Sequence, residues 1–390
     1  MQIIYINNGM SPNKFSEFLK KYNNQLGQQS QKYNQLLMEG FMANGRQVQC
    51  VSSRPINRKI TTQKFFKGER ENENGIEYYY VPFFNIKILR ELSVFWGVFF
   101  KLLFKKGKRK DTVVICDALN VSATAAALVA SFFRGFVTVG IITDVPGHYV
   151  SGNKLTRNGR VNIYLMKKFK KYLLLTEQMN EVVNPKNRPY VVLEGHSDIS
   201  MKEVLNTFEN KYEKKVCMYA GALRRIYGIE NLVEGFVKAN VPDSELHIYG
   251  NGDYVEELKK LCEKYHNVKY YGIASNKTIV EEELKATLLV NPRPTNEDYT
   301  KYSFPSKNME YMASGTPILT TKLPGMPKEY EPYVYLLNEE TADGVAKALS
   351  DILNKSAEEL HKKGMEAKEF VMNEKNNIVQ AKKVLEMLER

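Results

Sequence analysis

The 390-residue sequence predicts an α/β protein of two Rossmann-like, doubly wound domains facing a central cleft. Three observations carry that expectation. Apolar strand-like runs alternate with stretches of helical period along the whole chain, the pattern of parallel sheets covered by helices. The length suits two or three ordinary domains. Near the middle, an apolar strand stops at Glu194-Gly-His-Ser-Asp198, where a glycine in a polar cluster marks a break.

Taken in order, the first half reads as strands at Ile3–Ile6, Val48–Ser52, Tyr78–Val81, Thr112–Cys116, Val137–Thr143, Tyr172–Leu175 and Tyr190–Leu193. The second half reads as strands at Val216–Tyr219, Glu245–Tyr249, Val268–Tyr271, Ala286–Val290, Ile318–Thr321 and Val334–Leu337. Helices fill the gaps, for instance Glu230–Lys238 and Asp253–Tyr265. The expected domains are residues 1–198 and 199–371. Met365 to Arg390 reads as helical throughout, and from about 372 it is expected to pack back on the first domain. Ligands of doubly wound sheets lie beyond the carboxyl ends of the strands, so a cleft between the domains is the first place to seek a site.

Apolar residues make up 43% of the chain, enough for sizeable cores. Four cysteines (Cys50, Cys116, Cys217, Cys262) lie far apart with no Cys-x-x-Cys pair, which suggests buried free thiols. Met1-Gln-Ile-Ile-Tyr-Ile reads as a strand and lacks the marks of a signal peptide. The most apolar stretch, Ala123 to Thr143, is interrupted by Arg134-Gly135, so a buried helix and strand explain it better than a membrane span.

Charge is uneven. Residues 1–198 hold 29 Lys+Arg against 14 Asp+Glu, and residues 199–390 hold 27 against 30. The first half is thus +15 and the second −3, recovering the total of +12. Such asymmetry points to an acidic partner. Leu92-Ser-Val-Phe-Trp-Gly-Val-Phe-Phe-Lys-Leu-Leu-Phe104 leads into Lys105-Lys-Gly-Lys-Arg-Lys110, and a second basic cluster lies at Lys167 to Lys171. An aromatic helix with a basic end suits an anionic membrane interface or, equally, a core helix with a solvated end. No nucleic-acid recognition motif accompanies the charge.

The segment Ser303-Phe-Pro-Ser-Lys-Asn-Met-Glu310-Tyr-Met-Ala-Ser-Gly315-Thr-Pro317 carries the functional argument. Pro305 ends an extended stretch. Ser306 is placed as N-cap of a short helix, and Gly315 as its C-cap. Free N–H groups at the helix start, its dipole and Lys307 would together hold a phosphate. Glu310, one turn on, could accept hydrogen bonds from a ribose diol. A plain capped helix is the alternative.

This segment resembles the signature of retaining glycosyltransferases of family four, which have the GT-B fold. Three further stretches resemble that family: Tyr219-Ala-Gly-Ala-Leu to Gly228, His247-Ile-Tyr-Gly-Asn-Gly252, and Tyr271-Gly-Ile273. Val192 to Asp198 resembles its interdomain element. The resemblance implies transfer of a sugar from a nucleoside-diphosphate sugar, a UDP-sugar favoured, with retained stereochemistry. It implies donor contacts at Gly9, Gly221, Gly250, Gly252, Ile273, Ser306, Lys307 and Glu310. No cofactor and no metal are expected. The chain departs from the pattern at Ala222 and Tyr227, where many members carry Arg and Lys; Arg224, Arg225, Arg293 and Lys307 are the candidate replacements. It departs again at Tyr302, where a sugar-side Glu is common; Glu297 and Asp298 are candidates there.

In the first domain, Asn7-Asn8-Gly9 follows the first strand, and Thr143-Asp144-Val-Pro-Gly-His148 follows another. Asp144 or His148 could orient the acceptor hydroxyl or serve as its base, or either could be a loop residue. His196 is as readily structural as functional. The expected acceptor is lipid-linked or a polysaccharide, at the inner face of the cell membrane, in cell-envelope or capsular glycan synthesis. The competing expectation is a non-catalytic GT-B-like partner subunit or glycan-binding protein.

Overall fold

A computed structural model of the chain describes residues 1–22, 29–107, 109–147 and 155–389. It comprises two compact units: Met1–His196 with Asn377–Arg390, and Ser197–Asn376.

Unit 1 contains strands β1 (Gln2–Asn7), β2 (Gln47–Ser52), β3 (Phe65–Phe66), β4 (Glu69–Glu73), β5 (Ile76–Tyr80), β6 (Phe83–Phe84), β7 (Thr112–Asp117), β8 (Val137–Ile142), β9 (Lys171–Leu174) and β10 (Tyr190–Val192). Its helices are α1 (Pro12–Lys21), α2 (Gln29–Ala43), α3 (Lys87–Leu103), α4 (Val121–Arg134), α5 (Arg157–Met166) and α6 (Met179–Val183). The main sheet runs β10-β9-β8-β7-β1-β2-β5-β4, parallel except for β4. Central strands such as β7 are buried on both faces, which is why they read as unbroken apolar runs. β4, with sequence Glu-Arg-Glu-Asn-Glu, offers no such run; it is an antiparallel edge strand whose charges blunt further pairing. β3 and β6 form a separate two-stranded ribbon. All four cysteines are free, and three are buried.

Unit 2 contains β11 (Lys215–Ala222), β12 (Ser244–Asn251), β13 (Val268–Gly272), β14 (Leu288–Asn291), β15 (Ile318–Thr321) and β16 (Tyr335–Leu337). Its helices are α7 (Ile229–Ala239), α8 (Val255–Lys264), α9 (Asn276–Lys285), α10 (Ser306–Ser314), α11 (Ala342–Leu353) and α12 (Ala357–Glu374). The all-parallel order β13-β12-β11-β14-β15-β16 reverses direction between β11 and β14. No described helix of either unit is long and apolar enough to cross a membrane.

The expected single helix from Met365 to Arg390 is broken. α12 stops at Glu374, and α13 (Asn377–Glu389) belongs to unit 1. The Asn376 side chain takes the Met372 carbonyl at 2.6 Å, the acceptor that its own N–H would use in a continuous helix. The Lys375 carbonyl accepts instead from the Ser197 N–H at 2.9 Å. α13 then packs on α2 so closely that a Cβ on Gly40 would come 2.1 Å from the Asn377 carbonyl. The Lys171 ammonium donates to the Met387 carbonyl at 2.6 Å, securing the far end.

His196 is buried in unit 1, its Nε2 bonded to the Tyr33 carbonyl at 2.8 Å and its ring 4.4 Å from that of Tyr33. Burial pulls its pKa down from 6.5 to about 4, with the nearby Lys32 charge adding to the effect. The folded state therefore holds it neutral. Stability from this site is complete above the unfolded value and is lost as pH falls from about 6.5 towards 4. Urea titrations at pH 7 and pH 5 are expected to show a loss of roughly 2 kcal/mol from this histidine. In His196→Gln, less stable at pH 7, that share of the acid sensitivity is expected to vanish.

Candidate phosphate site in unit 2

The reversal between β11 and β14 is where ligands of doubly wound sheets bind, outside the carboxyl ends of the strands. Gly221 lies at that end of β11, level with Gly250 on β12. A Cβ on Gly250, whose φ is +132°, would come 1.7 Å from the Gly221 carbonyl. One on Gly252 would come 2.2 Å from that of Leu223. Both glycines are thus required by neighbouring backbone. Gly221 differs, because its hydrogen faces a side chain: Lys307 Cε lies 2.2 Å from where a Cβ would stand, and Nζ 2.5 Å.

Lys307 comes from the first turn of α10. The start of this helix differs from expectation: Pro305 occupies the N-cap, extended at φ −69° and ψ 113°, and Ser306 is the first helical residue. With Pro305 outside the helix at that ψ, the serine is its first residue. Pro305 makes no side-chain capping bond to the first turn. Its orphan N–H groups and the positive end of the dipole remain available to an anion. The other end follows expectation, with Gly315 left-handed at φ 78°.

Two interactions hold α10 against the sheet. The Tyr311 hydroxyl accepts from the Ala220 N–H at 2.9 Å, tying the helix to β11. Asn308 accepts from Asn291 of β14 at 2.6 Å and donates to Thr320 of β15 at 3.2 Å. The helix is therefore fixed across the switch point by buried polar contacts that cannot slide without leaving groups unpaired.

The Lys307 ammonium lies 5.9 Å from the centre of the Tyr219 ring. No carboxylate pairs with it among the described residues. Burial lowers its pKa; the charges of Glu310 and Glu283 act the other way, and Arg293 adds to the lowering. A partly desolvated cation of this kind gains most from an incoming anion. Arg293, just after β14, is held by a 2.9 Å bond to Ser303 and stacks 4.4 Å from the Tyr227 ring and 6.0 Å from Tyr299. Arg224 lies 6.0 Å from the centre of the Tyr227 ring. Tyr227 thus has two guanidinium groups within reach of its ring.

Arg225 is the exception among the candidate cations. It pairs with Glu257 and, at 3.7 Å, with Glu230, so its charge is largely spent. Glu310 sits half-buried one turn into α10, close enough to act electrostatically on Lys307. Ile273 stands 76% exposed beyond β13, next to Gly272 in open space. A flat apolar group could be covered there. Tyr302 and Glu297 lie in the loop between β14 and α10, while the Asp298 side chain falls outside the described residues. No group of three or more His, Cys, Asp or Glu side chains suited to a metal ion is found among the described residues.

In unit 1, Gly9 is buried and enclosed by its own chain: a Cβ there would meet Gln31 Oε1 at 3.1 Å and Asn7 Nδ2 at 3.2 Å. Asp144 is half-buried just after β8, and His148 lies outside the described residues. Sequence reading passed over Asp117, at the end of β7. It is buried, and burial raises its pKa despite bonds from Leu119 and Asn34. It also passed over Tyr227 as a platform, because an aromatic in place of a cation reads as a loss unless its neighbours are known.

Residues 201–370 match the family model described as Glycosyl transferases group 1. No curated protein matches the chain. Among solved structures, the chain is similar to HepE of Anabaena in complex with UDP, 13% identical, covering 100% of each chain at a TM-score of 0.66. It is similar to sucrose-phosphate synthase from Thermosynechococcus elongatus, 15% identical, covering 100% of this chain and 99% of that one at 0.70. It is also similar to the lipopolysaccharide outer core galactosyltransferase WaaB, 15% identical, with coverages of 100% and 99% at 0.62. At such identities the likeness establishes the fold, which is GT-B.

Two glycine substitutions separate the roles drawn above. Gly221→Ala meets side chains and no backbone, the end of Lys307 at 2.2 Å and the Tyr219 hydroxyl at 2.9 Å, so the thermal midpoint should fall by several degrees while the protein still folds. Calorimetry should show pyrophosphate affinity down about tenfold as the ammonium is pushed aside. Gly250→Ala meets backbone and a strained φ, and is expected to give little folded protein.

Proposed function

We propose that this chain is a retaining glycosyltransferase that uses a nucleoside-diphosphate sugar, a UDP-sugar first among them. The observation that carries the reading is the Lys307 ammonium laid across Gly221 at the start of α10. The family match over 201–370 and the UDP in the HepE complex support it.

In this reading the donor's diphosphate rests on the N–H groups of the first turn of α10, with Lys307 and Arg293 on its oxygens. Charge on the diphosphate grows as the sugar leaves, so fixed donors and cations there stabilise the transition state more than the ground state. The chain's own groups supply this stabilisation, with no metal or cofactor invoked. Glu310 accepts from the ribose hydroxyls, and Ile273 covers the base. Gly221, Gly250 and Gly252 keep the strand ends low enough for the diphosphate to approach. Arg224 assists through Tyr227; Arg225 braces α7 and α8 and is not counted as a donor contact. The acceptor attacks from the face the diphosphate leaves.

The acceptor proposed is lipid-linked or a growing polysaccharide, and the transferred group a hexosyl unit in cell-surface glycan synthesis. WaaB, titled a lipopolysaccharide outer core galactosyltransferase, favours that class. The basic first half favours work at the inner, cytoplasmic face of the membrane against anionic lipid. The competing reading, a non-catalytic partner subunit, is favoured by one observation: Tyr302 stands where a sugar-side carboxylate would be.

The test is UDP release from UDP-sugars and the corresponding GDP-sugars, with and without an extract containing glycolipid acceptors. Release is expected with one donor. Lys307→Ala should lower kcat about a hundredfold or more, the cost of removing a transition-state donor. Glu310→Ala should act mainly on KM, raising it about tenfold. Binding of UDP without turnover of any donor would favour the partner subunit, and absence of both would sink the proposal.

A further inference from the structure

Along α3 one face is buried in unit 1 through Val94, Val98 and Leu102. The opposite stripe is apolar too. Ile88, Leu92, Trp96, Phe100 and Phe104, spaced by four, are between 46% and 74% exposed. Trp96 stacks on Phe100 at 5.4 Å and Phe100 on Phe104 at 5.9 Å, forming a continuous aromatic ladder. Burying that ladder would be favourable, and no described residue of unit 1 does so.

The ladder forms one wall of a groove of about 840 Å³ between α3, the ribbon β3–β6 and the outer strands of the main sheet. Phe65 and Phe84 of the ribbon, each nearly half exposed, extend the apolar lining. Cations line the rest: Arg70, Lys101, Lys105 and Lys106. Lys101 lies 4.2 Å from the Tyr79 ring, and Lys105 donates to Gln49 at 3.0 Å. One carboxylate, Glu77, shares the groove and accepts from Gln49 at 2.6 Å. Residues 87–110 carry eight Lys+Arg (87, 90, 101, 105, 106, 108, 109 and 110) against a single acid, Glu91.

We propose that this groove is a docking site for anionic phospholipid, with acyl chains on the Trp96–Phe100–Phe104 ladder and headgroup phosphates on Lys101, Lys105 and Lys106. Charge complementarity chooses the occupant. A second copy would bring eight further cations against these, whereas an anionic bilayer supplies both the apolar cover and the countercharge. An aromatic wall beside Lys and Arg stems is the composition of a membrane–water interface. The inference deepens the proposed acceptor side and is independent of the donor site in unit 2.

Trp96 is the only tryptophan, so its fluorescence reports this groove alone. The full chain is titrated at low salt with vesicles of phosphatidylcholine, with and without phosphatidylglycerol. The emission is expected to shift to the blue, and brominated acyl chains to quench it, only when phosphatidylglycerol is present; added salt should reverse both. A triple variant, Lys101→Gln, Lys105→Gln and Lys106→Gln, should bind such vesicles at least tenfold more weakly. UDP protection against heat, read on the same samples, should be unchanged by the triple variant. Loss of UDP protection in wild type would count against the donor reading and leave this one standing. No shift with anionic vesicles, an equal shift with phosphatidylcholine alone, or undiminished binding by the triple variant would overturn the inference. So would the same shift produced by inorganic phosphate, or by concentration-dependent self-association without lipid.

Discussion

The candidate site depends on one close approach, the passage of Lys307 over Gly221. An ammonium can lie there only because residue 221 has no side chain. It stays there because α10 is bound to β11 by Tyr311 and to β14 and β15 by Asn308. The polar contacts are buried, so moving the helix would leave donors and acceptors unpaired. The cation is thereby fixed before any ligand arrives. A preorganised charge of this kind costs no rearrangement at the moment an anion binds.

Around that cation, the arginines divide by what surrounds them. Arg225 faces Glu257 and Glu230, and its charge is largely neutralised within unit 2. Arg293 faces Ser303 and two tyrosine rings, which orient it without neutralising it. Tyr227, where the resembling family often has a cation, has the guanidinium groups of Arg293 and Arg224 4.4 Å and 6.0 Å from its ring centre. Ring faces hold guanidinium groups by their quadrupole and leave the N–H edges free for oxygen acceptors.

Much of this was legible in the sequence. The parallel strands were visible because both of their faces are buried. The C-cap at Gly315 and the placing of Lys307 and Glu310 in the first turns of one helix followed from local rules, and the strand-end glycines Gly221, Gly250 and Gly252 from the resemblance. Three things were not legible, each for a physical reason. β4 has no apolar run, because an edge strand facing water has none to show. The break at Lys375–Asn376 lies inside an amphipathic period; it is made by one asparagine side chain taking a backbone's place, together with a partner from Ser197, remote in sequence. Ser306 has the composition of an N-cap, but Pro305, extended at ψ 113°, holds that position and the serine begins the helix. The ion pairs of Arg225 and the stacking of Arg293 depend on residues far apart in sequence, so no spacing rule could separate the two arginines.

The central claim is that unit 2 recognises a diphosphate through α10 and Lys307, with the nucleoside secondary. Calorimetric titration with UDP, UMP and uridine on the same protein measures this directly. The account predicts that UDP binds at least about a hundredfold more tightly than uridine, since two or more charge-assisted bonds are lost with the phosphates, and that UMP falls between. Equal affinity for uridine and UDP would contradict it.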